Sequence, residues 1–126
     1  MRNFSFVIDE LNGGFMKMAG TIRLEGETLR LEFYKTDNVF EAYKSDLKTL
    51  EIDLGDLNEI EFKKSFLGGG KLTLKANSEQ VFGGLEGMEV GVRVLKVKRK
   101  EREAALSVTS RARLLLSERR LRELDE

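Results

Sequence analysis

The 126 residues include no cysteine, no histidine, no tryptophan and no proline. Without cysteine there is no disulfide framework, no thiolate nucleophile and no thiolate metal site, so a reducing, cytoplasmic setting is expected. Without histidine the commonest general base and the commonest neutral metal ligand are both missing. These absences weigh against an enzyme, and neither a cofactor nor a metal ion is expected. Long apolar runs are absent too, the longest being a few residues such as Leu114, Leu115 and Leu116. The opening Met1, Arg2, Asn3, Phe4, Ser5 lacks the apolar stretch of a signal peptide, so neither export nor membrane spanning is expected.

What the chain does contain is charge, at 35% of its residues against 40% hydrophobic. Its length suits one domain with a real core, residues 1–126 throughout. Lys plus Arg and Asp plus Glu are both 22, yet up to Phe62 there are 7 basic and 13 acidic residues, and from Lys63 onward 15 and 9. Such asymmetry means either that the halves face one another within a fold or an oligomer, or that the second half meets an anionic partner.

Apolar residues alternate with polar ones over the first hundred positions, the period of a strand with one buried face. Phe4, Phe6 and Ile8 open the pattern. Met16, Met18, Ile22 and Leu24 continue it, followed by Leu29, Leu31 and Phe33, with Gly26 and Glu27 between them as a two-residue hairpin turn that needs positive φ at its first position. Further strands are expected with Leu50, Ile52 and Leu54 inward, then Ile60 and Phe62, then Leu72 and Leu74, then Val90, Val92 and Val94. Leu95 and Val97 are out of step with those valines, which predicts a β-bulge or a strand leaving the sheet. Residues 35–48 suit either a short strand or a helical turn and stay open.

Near Lys100 the period lengthens to about 3.6. Ala104, Ala105, Val108, Ala112, Leu115 and Leu116 share an arc of roughly 120°, the width of a core-facing stripe. The expected fold is therefore mainly β: a strongly bent antiparallel barrel or roll of about seven strands, over about 4–98, capped by one C-terminal α-helix over about 100–124. Leu106, Leu114, Leu121 and Leu124 fall on a second arc of that helix. Leu114, Leu121 and Leu124 are spaced seven and three apart, as in the a/d seam of a helix pair. Basic Lys98 to Lys100 and Arg102 at its start, and acidic Glu123, Asp125 and Glu126 at its end, suit an antiparallel pair.

No constellation here carries catalysis. Glu25, Glu32, Glu51, Asp53, Glu59 and Glu61 could in principle form an acid/base pair or a hard-cation site, but they take the outward phase of their strands, where a charge is solvated. The run Phe66, Leu67, Gly68, Gly69, Gly70, Lys71, Leu72 fails as a nucleotide-binding loop: Ser65 stands where the first glycine belongs, and Leu72 where a Ser or Thr belongs. It reads as a flexible hairpin, bracketed by Lys63, Lys64 and Lys71, with weak anion contact as its one candidate chemistry. The densest basic cluster, Lys96, Lys98, Arg99, Lys100 and Arg102, lacks exposed aromatics for base stacking, so no nucleic acid is expected.

The stretch Ile22-Arg-Leu-Glu-Gly-Glu-Thr-Leu-Arg-Leu-Glu-Phe33, followed by Val90-Gly-Val-Arg-Val-Leu-Lys-Val97 leading into the helix, resembles the bacterial pleckstrin-homology-like and GRAM-like domains. The resemblance spans nearly the whole chain and implies a bent antiparallel sheet with a helix at one end, serving as a binding or assembly platform. Eukaryotic lipid-binding members carry a basic motif at their first hairpin and a tryptophan in the helix. Here Gly26 and Glu27 form the hairpin tip and the helix has no Trp, so phosphoinositide binding is not carried over. A lipocalin-like or fatty-acid-binding barrel is the second architecture.

The function expected is a non-catalytic interaction or assembly module that forms a homo-oligomer through Leu106, Leu114, Leu121 and Leu124, or binds another protein. The alternative is a small-ligand or anionic-surface binder, with Lys63, Lys64, Lys71, Lys98, Arg99 and Lys100 as its contacts. Membrane contact is expected to be weak at most, because the basic cluster has no neighbouring apolar anchor in the sequence.

Overall fold

The structure, a computed structural model, describes residues 3–125. Seven strands, β1 (Asn3–Leu11), β2 (Met16–Glu25), β3 (Thr28–Asp37), β4 (Lys48–Asp53), β5 (Leu57–Lys64), β6 (Gly70–Ala76) and β7 (Val92–Val97), are followed by one helix, α1 (Arg102–Leu124). They form a single antiparallel sheet in the order β4-β3-β2-β1-β7-β6-β5. The mainly β architecture expected from the sequence is what the chain adopts.

The long hairpin β2–β3 is in register throughout, from Met16↔Asp37 to Glu25↔Thr28, and its two-residue turn has Gly26 at φ +60°. Positive φ costs glycine nothing, which is why the turn starts there. Gly20 has a different reason to be glycine. It takes the inward phase between Met18 and Ile22, and a Cβ on it would collide with the Glu32 carbonyl and the Phe33 backbone. The two strands close on one another at that point.

The edge strands β4 and β5 are neighbours in sequence, joined by a 3-10 turn over Leu54–Asp56. The sheet therefore rolls its edges toward each other without closing by hydrogen bonds. The helix packs against β5, that turn, β1 and β2. Ala105, Val108, Ala112 and Leu116 are buried and Ala104 and Leu115 partly so, as the stripe requires. They meet a core of Phe4, Phe6, Ile22, Leu31, Phe33, Ile52, Leu72 and Leu74. The connection from β6 to β7 adds Phe82 and Leu85, both fully buried, beside β4.

Two readings of the sequence are corrected. In β7 the inward side chains are Arg93, Leu95 and Val97, whereas Val90 and Val94 are exposed and Val92 half-buried. No bulge separates the valines from Leu95, because β6 and β7 pair without interruption from Gly70↔Val97 to Lys75↔Val92. The physical reason is Arg93, a buried charge on the core phase. Its guanidinium donates to the carbonyls of Leu85 (2.6 Å), Val92 (2.7 Å) and Glu89 (3.2 Å), pairs with Glu79, and lies 4.6 Å from the centre of the Phe82 ring. Likewise Leu54 is buried in the turn after β4, not in a strand.

Residues 35–48, left open by the sequence, continue β3 to Asp37, form a loop with one bridge between Thr36 and Lys44, and enter β4 at Lys48. The Asp37 carboxylate accepts from the backbone N–H groups of Phe40 (2.8 Å), Tyr43 (2.9 Å) and Glu41 (3.1 Å). Those bonds, led by Tyr43 and Phe40, hold its pKa below the ordinary carboxylate value.

Candidate functional site

The outer face of α1 is the first candidate surface. Leu114, Leu121 and Leu124 are 50%, 63% and 80% exposed, while Leu106 is half-buried. The helix beneath them is anchored along its length. Arg119 reaches Asp53 at 2.6 Å and Glu27 at 3.8 Å, Arg122 reaches Glu27 at 3.6 Å, and Arg120 donates to the carbonyls of Asn58 (3.0 Å) and Leu57 (3.4 Å). The Arg119 hydrogen bond lowers the pKa of Asp53 against a smaller opposing effect of burial. The last turns are thus docked on the sheet, with their leucines turned outward. Of the acidic end, Glu123 lies 3.6 Å from Arg119, and Glu126 is outside the described residues.

The second candidate is a cationic corner that brings together residues far apart in the chain. Lys63 and Lys71 face each other directly across β5 and β6, and Lys71 in turn faces Lys96 across β6 and β7. Like charges directly opposite in a sheet repel. Asp9 offsets Lys96 at 2.8 Å and raises its pKa, chiefly through the hydrogen bond, while among the described residues Lys63 has only Glu61 at 3.9 Å. Among the described residues Lys64, Lys71, Lys98, Arg99 and Lys100 have no carboxylate within ion-pair distance.

The hairpin between β5 and β6 folds back onto this corner. Ser65 N–H donates to the Gly69 carbonyl and Gly68 N–H to the Ser65 carbonyl, each at 3.1 Å. Gly68 lies against the Arg99 side chain, and Gly69 sits so close to the Val97 carbonyl that no Cβ fits. Both have positive φ, at +103° and +62°. All six cations proposed from the sequence therefore surround one hairpin tip or the strand ends beside it. That tip carries Phe66 and Leu67, 101% and 88% exposed. Sequence reading missed them as a feature, although two large apolar residues before a triple glycine are the signal that could have found them.

Beside the corner, the outer face of the sheet has a groove of about 360 Å³, lined by Ser5, Ala19, Thr21, Tyr34, Lys96, Lys98, Lys100 and Glu101 among others. A third surface collects exposed Phe15, Val39, Phe40, Tyr43 and Leu47 around the loop that Asp37 organises. Asn38 ties that loop to the β1–β2 connection through the Gly14 and Met16 carbonyls, at 2.9 and 3.2 Å.

The six outward carboxylates are surface ion-pair partners: Glu25, Glu32 and Glu51 share Arg30, and Glu59 and Glu61 lie two residues apart on β5. Glu25 pairs with Arg23 (2.7 Å), Glu51 with Arg30 (2.7 Å), Glu32 with Arg30 (3.6 Å), Asp53 with Arg119 (2.6 Å), Glu59 with Lys75 (3.2 Å) and Glu61 with Lys63 (3.9 Å). Among the described residues no three Asp or Glu side chains are grouped to hold a metal ion, and no helix is long and apolar enough to cross a membrane. Comparison of the chain with protein-family models, with curated proteins and with solved structures gave no match.

Proposed function

We propose that the chain is a non-catalytic interaction module that assembles with itself through the outer face of α1. The observation that carries this reading is the exposure of Leu114, Leu121 and Leu124 on a helix whose inner face is packed and whose Arg119 and Arg120 are tied to the sheet. A frayed tail would hide or scatter such leucines. A docked helix presents them as a fixed apolar ridge, and the partner that matches a ridge of this spacing is a second copy of the same helix. The basic residues Lys98, Arg99 and Lys100 before the helix and Glu123 and Asp125 at its end make the antiparallel arrangement the complementary one. A bent seven-stranded sheet with one helix after it supports the pleckstrin-homology-like reading, in which the domain is a platform for assembly.

Light scattering on a sizing column tests the proposal. At tens of micromolar the chain should run as an oligomer, and Leu114→Glu with Leu121→Glu should convert it to a folded monomer. A monomeric parent, or an oligomer that the double substitution leaves intact, would overturn it.

A further inference from the structure

We infer that the β5–β6 hairpin is an insertion finger for an anionic lipid bilayer, with Phe66 and Leu67 entering the interface and the surrounding cations holding the anionic headgroups. Neither residue has any packing role, since both stand almost wholly in water. The tip is nevertheless shaped, by the Ser65–Gly69 and Gly68–Ser65 backbone bonds and by the close approach of Gly69 to Val97. A shaped turn that spends its apex on two large apolar side chains is built to present them.

The charges identify the occupant. Lys63 and Lys71 are opposed across the strands without a strong counter-charge, Arg99 lies along Gly68, and Lys64, Lys98 and Lys100 are exposed around them. An anionic surface relieves the repulsion between the directly opposed Lys63 and Lys71. Stable membrane binding takes two signals, such as an apolar insertion with a basic patch, and here both occur on one projection. The expectation of weak membrane contact rested on the absence of an apolar anchor near the cations, and the fold supplies that anchor. A convex tip with aliphatic and phenyl groups suits a fluid interface. A nucleic acid seated in the neighbouring groove, with Tyr34 and its lysines, would leave Phe66 and Leu67 unused because neither lines it, and a protein partner would need a pocket cut to receive the tip.

The absence of tryptophan makes the test direct, because Phe66→Trp places the sole indole at the apex. With vesicles of phosphatidylcholine and phosphatidylserine its emission should shift to the blue and be quenched by brominated acyl chains, and raising the salt should weaken the binding. Phosphatidylcholine vesicles alone should produce neither change. In sedimentation, Phe66→Ala with Leu67→Ala should lower partitioning at least about tenfold, and Lys63→Glu with Lys71→Glu should abolish it. All four positions are exposed, so unfolding midpoints should stay at the parent value, which separates lost binding from lost fold. Repeating the series in the Leu114→Glu, Leu121→Glu chain separates the finger from self-association. An indole that stays in water, partitioning that survives the alanine pair, or equal insertion into neutral vesicles would each overturn the inference.

Discussion

Arg93 shows how one residue can set the phase of a strand. At 2% exposure its charge is out of water, and its guanidinium satisfies the Leu85 and Glu89 carbonyls of the β6–β7 connection and the Val92 carbonyl of β7 as well as Glu79. Replacing a buried ion by a hydrophobic side chain is often nearly neutral. Here it would take the guanidinium away from the Leu85 carbonyl and from Glu79, leaving, of the two connection carbonyls, only that of Glu89 with a further donor among the described residues, the Val92 N–H at 3.2 Å, and that loss should win. Arg93→Met is expected to destabilise the domain by about 3 kcal/mol, read as a lower urea midpoint. An unchanged midpoint would mean that water replaces the guanidinium at no cost. The same residue explains why periodicity misplaces β7. Periodicity counts apolar side chains, so Val90, Val92 and Val94 look inward, while the true inward set begins with an arginine. Phe66 and Leu67 are obscure for the converse reason, since apolar letters in sequence do not reveal whether anything packs on them.

The helix α1 is legible in the sequence because a period of 3.6 over six apolar residues fits neither a strand nor a loop. The structure buries four of those residues and half-buries the other two. The β2–β3 hairpin is legible for a similar reason, with strict alternation on both sides of a glycine-first turn. The β3–β4 loop has no such signature. Its shape comes from one carboxylate taking three backbone N–H groups, an arrangement that leaves no period in the sequence. The two faces of α1 differ enough to be told apart by unfolding. Leu116→Ala opens a cavity between helix and sheet and should cost about 2 to 4 kcal/mol. Leu121→Ala removes an exposed side chain and should change the stability of the monomer by less than about 0.5 kcal/mol. Equal costs at the two positions would mean that the helix is rotated from the orientation described, so the pair checks the seating on which the proposed seam depends.

For the molecule as a whole, the uneven charge of the two halves is partly resolved inside the fold. Arg119 and Arg122 from the basic half reach Asp53 and Glu27 in the acidic half, and Lys96 reaches Asp9. Among the described residues Lys64, Lys71, Lys98, Arg99 and Lys100 are left without an ion pair at the corner around the hairpin tip, as are Arg102, Arg111 and Arg113 along α1. These pairs also fix how stability should vary with pH. Asp37, Asp53 and Glu79 all have folded pKa values below their ordinary ones, through backbone N–H groups, Arg119 and Arg93 respectively. A depressed carboxylate binds fewer protons folded than unfolded. Its contribution is therefore fully present above the unfolded value of about 4 to 4.5 and is lost as pH falls through the folded one. Lys96 works in the opposite sense, its raised pKa contributing below its ordinary value and being lost at strongly alkaline pH. No histidine titrates between these limits. The urea midpoint should therefore be flat from about pH 6 to 9 and fall below about pH 5, and Asp53→Asn should make that acid limb shallower. A midpoint that moves across neutral pH would show that some other group titrates there, and an acid limb the substitution leaves unchanged would show that the helix is not tied to the sheet through the Asp53–Arg119 pair.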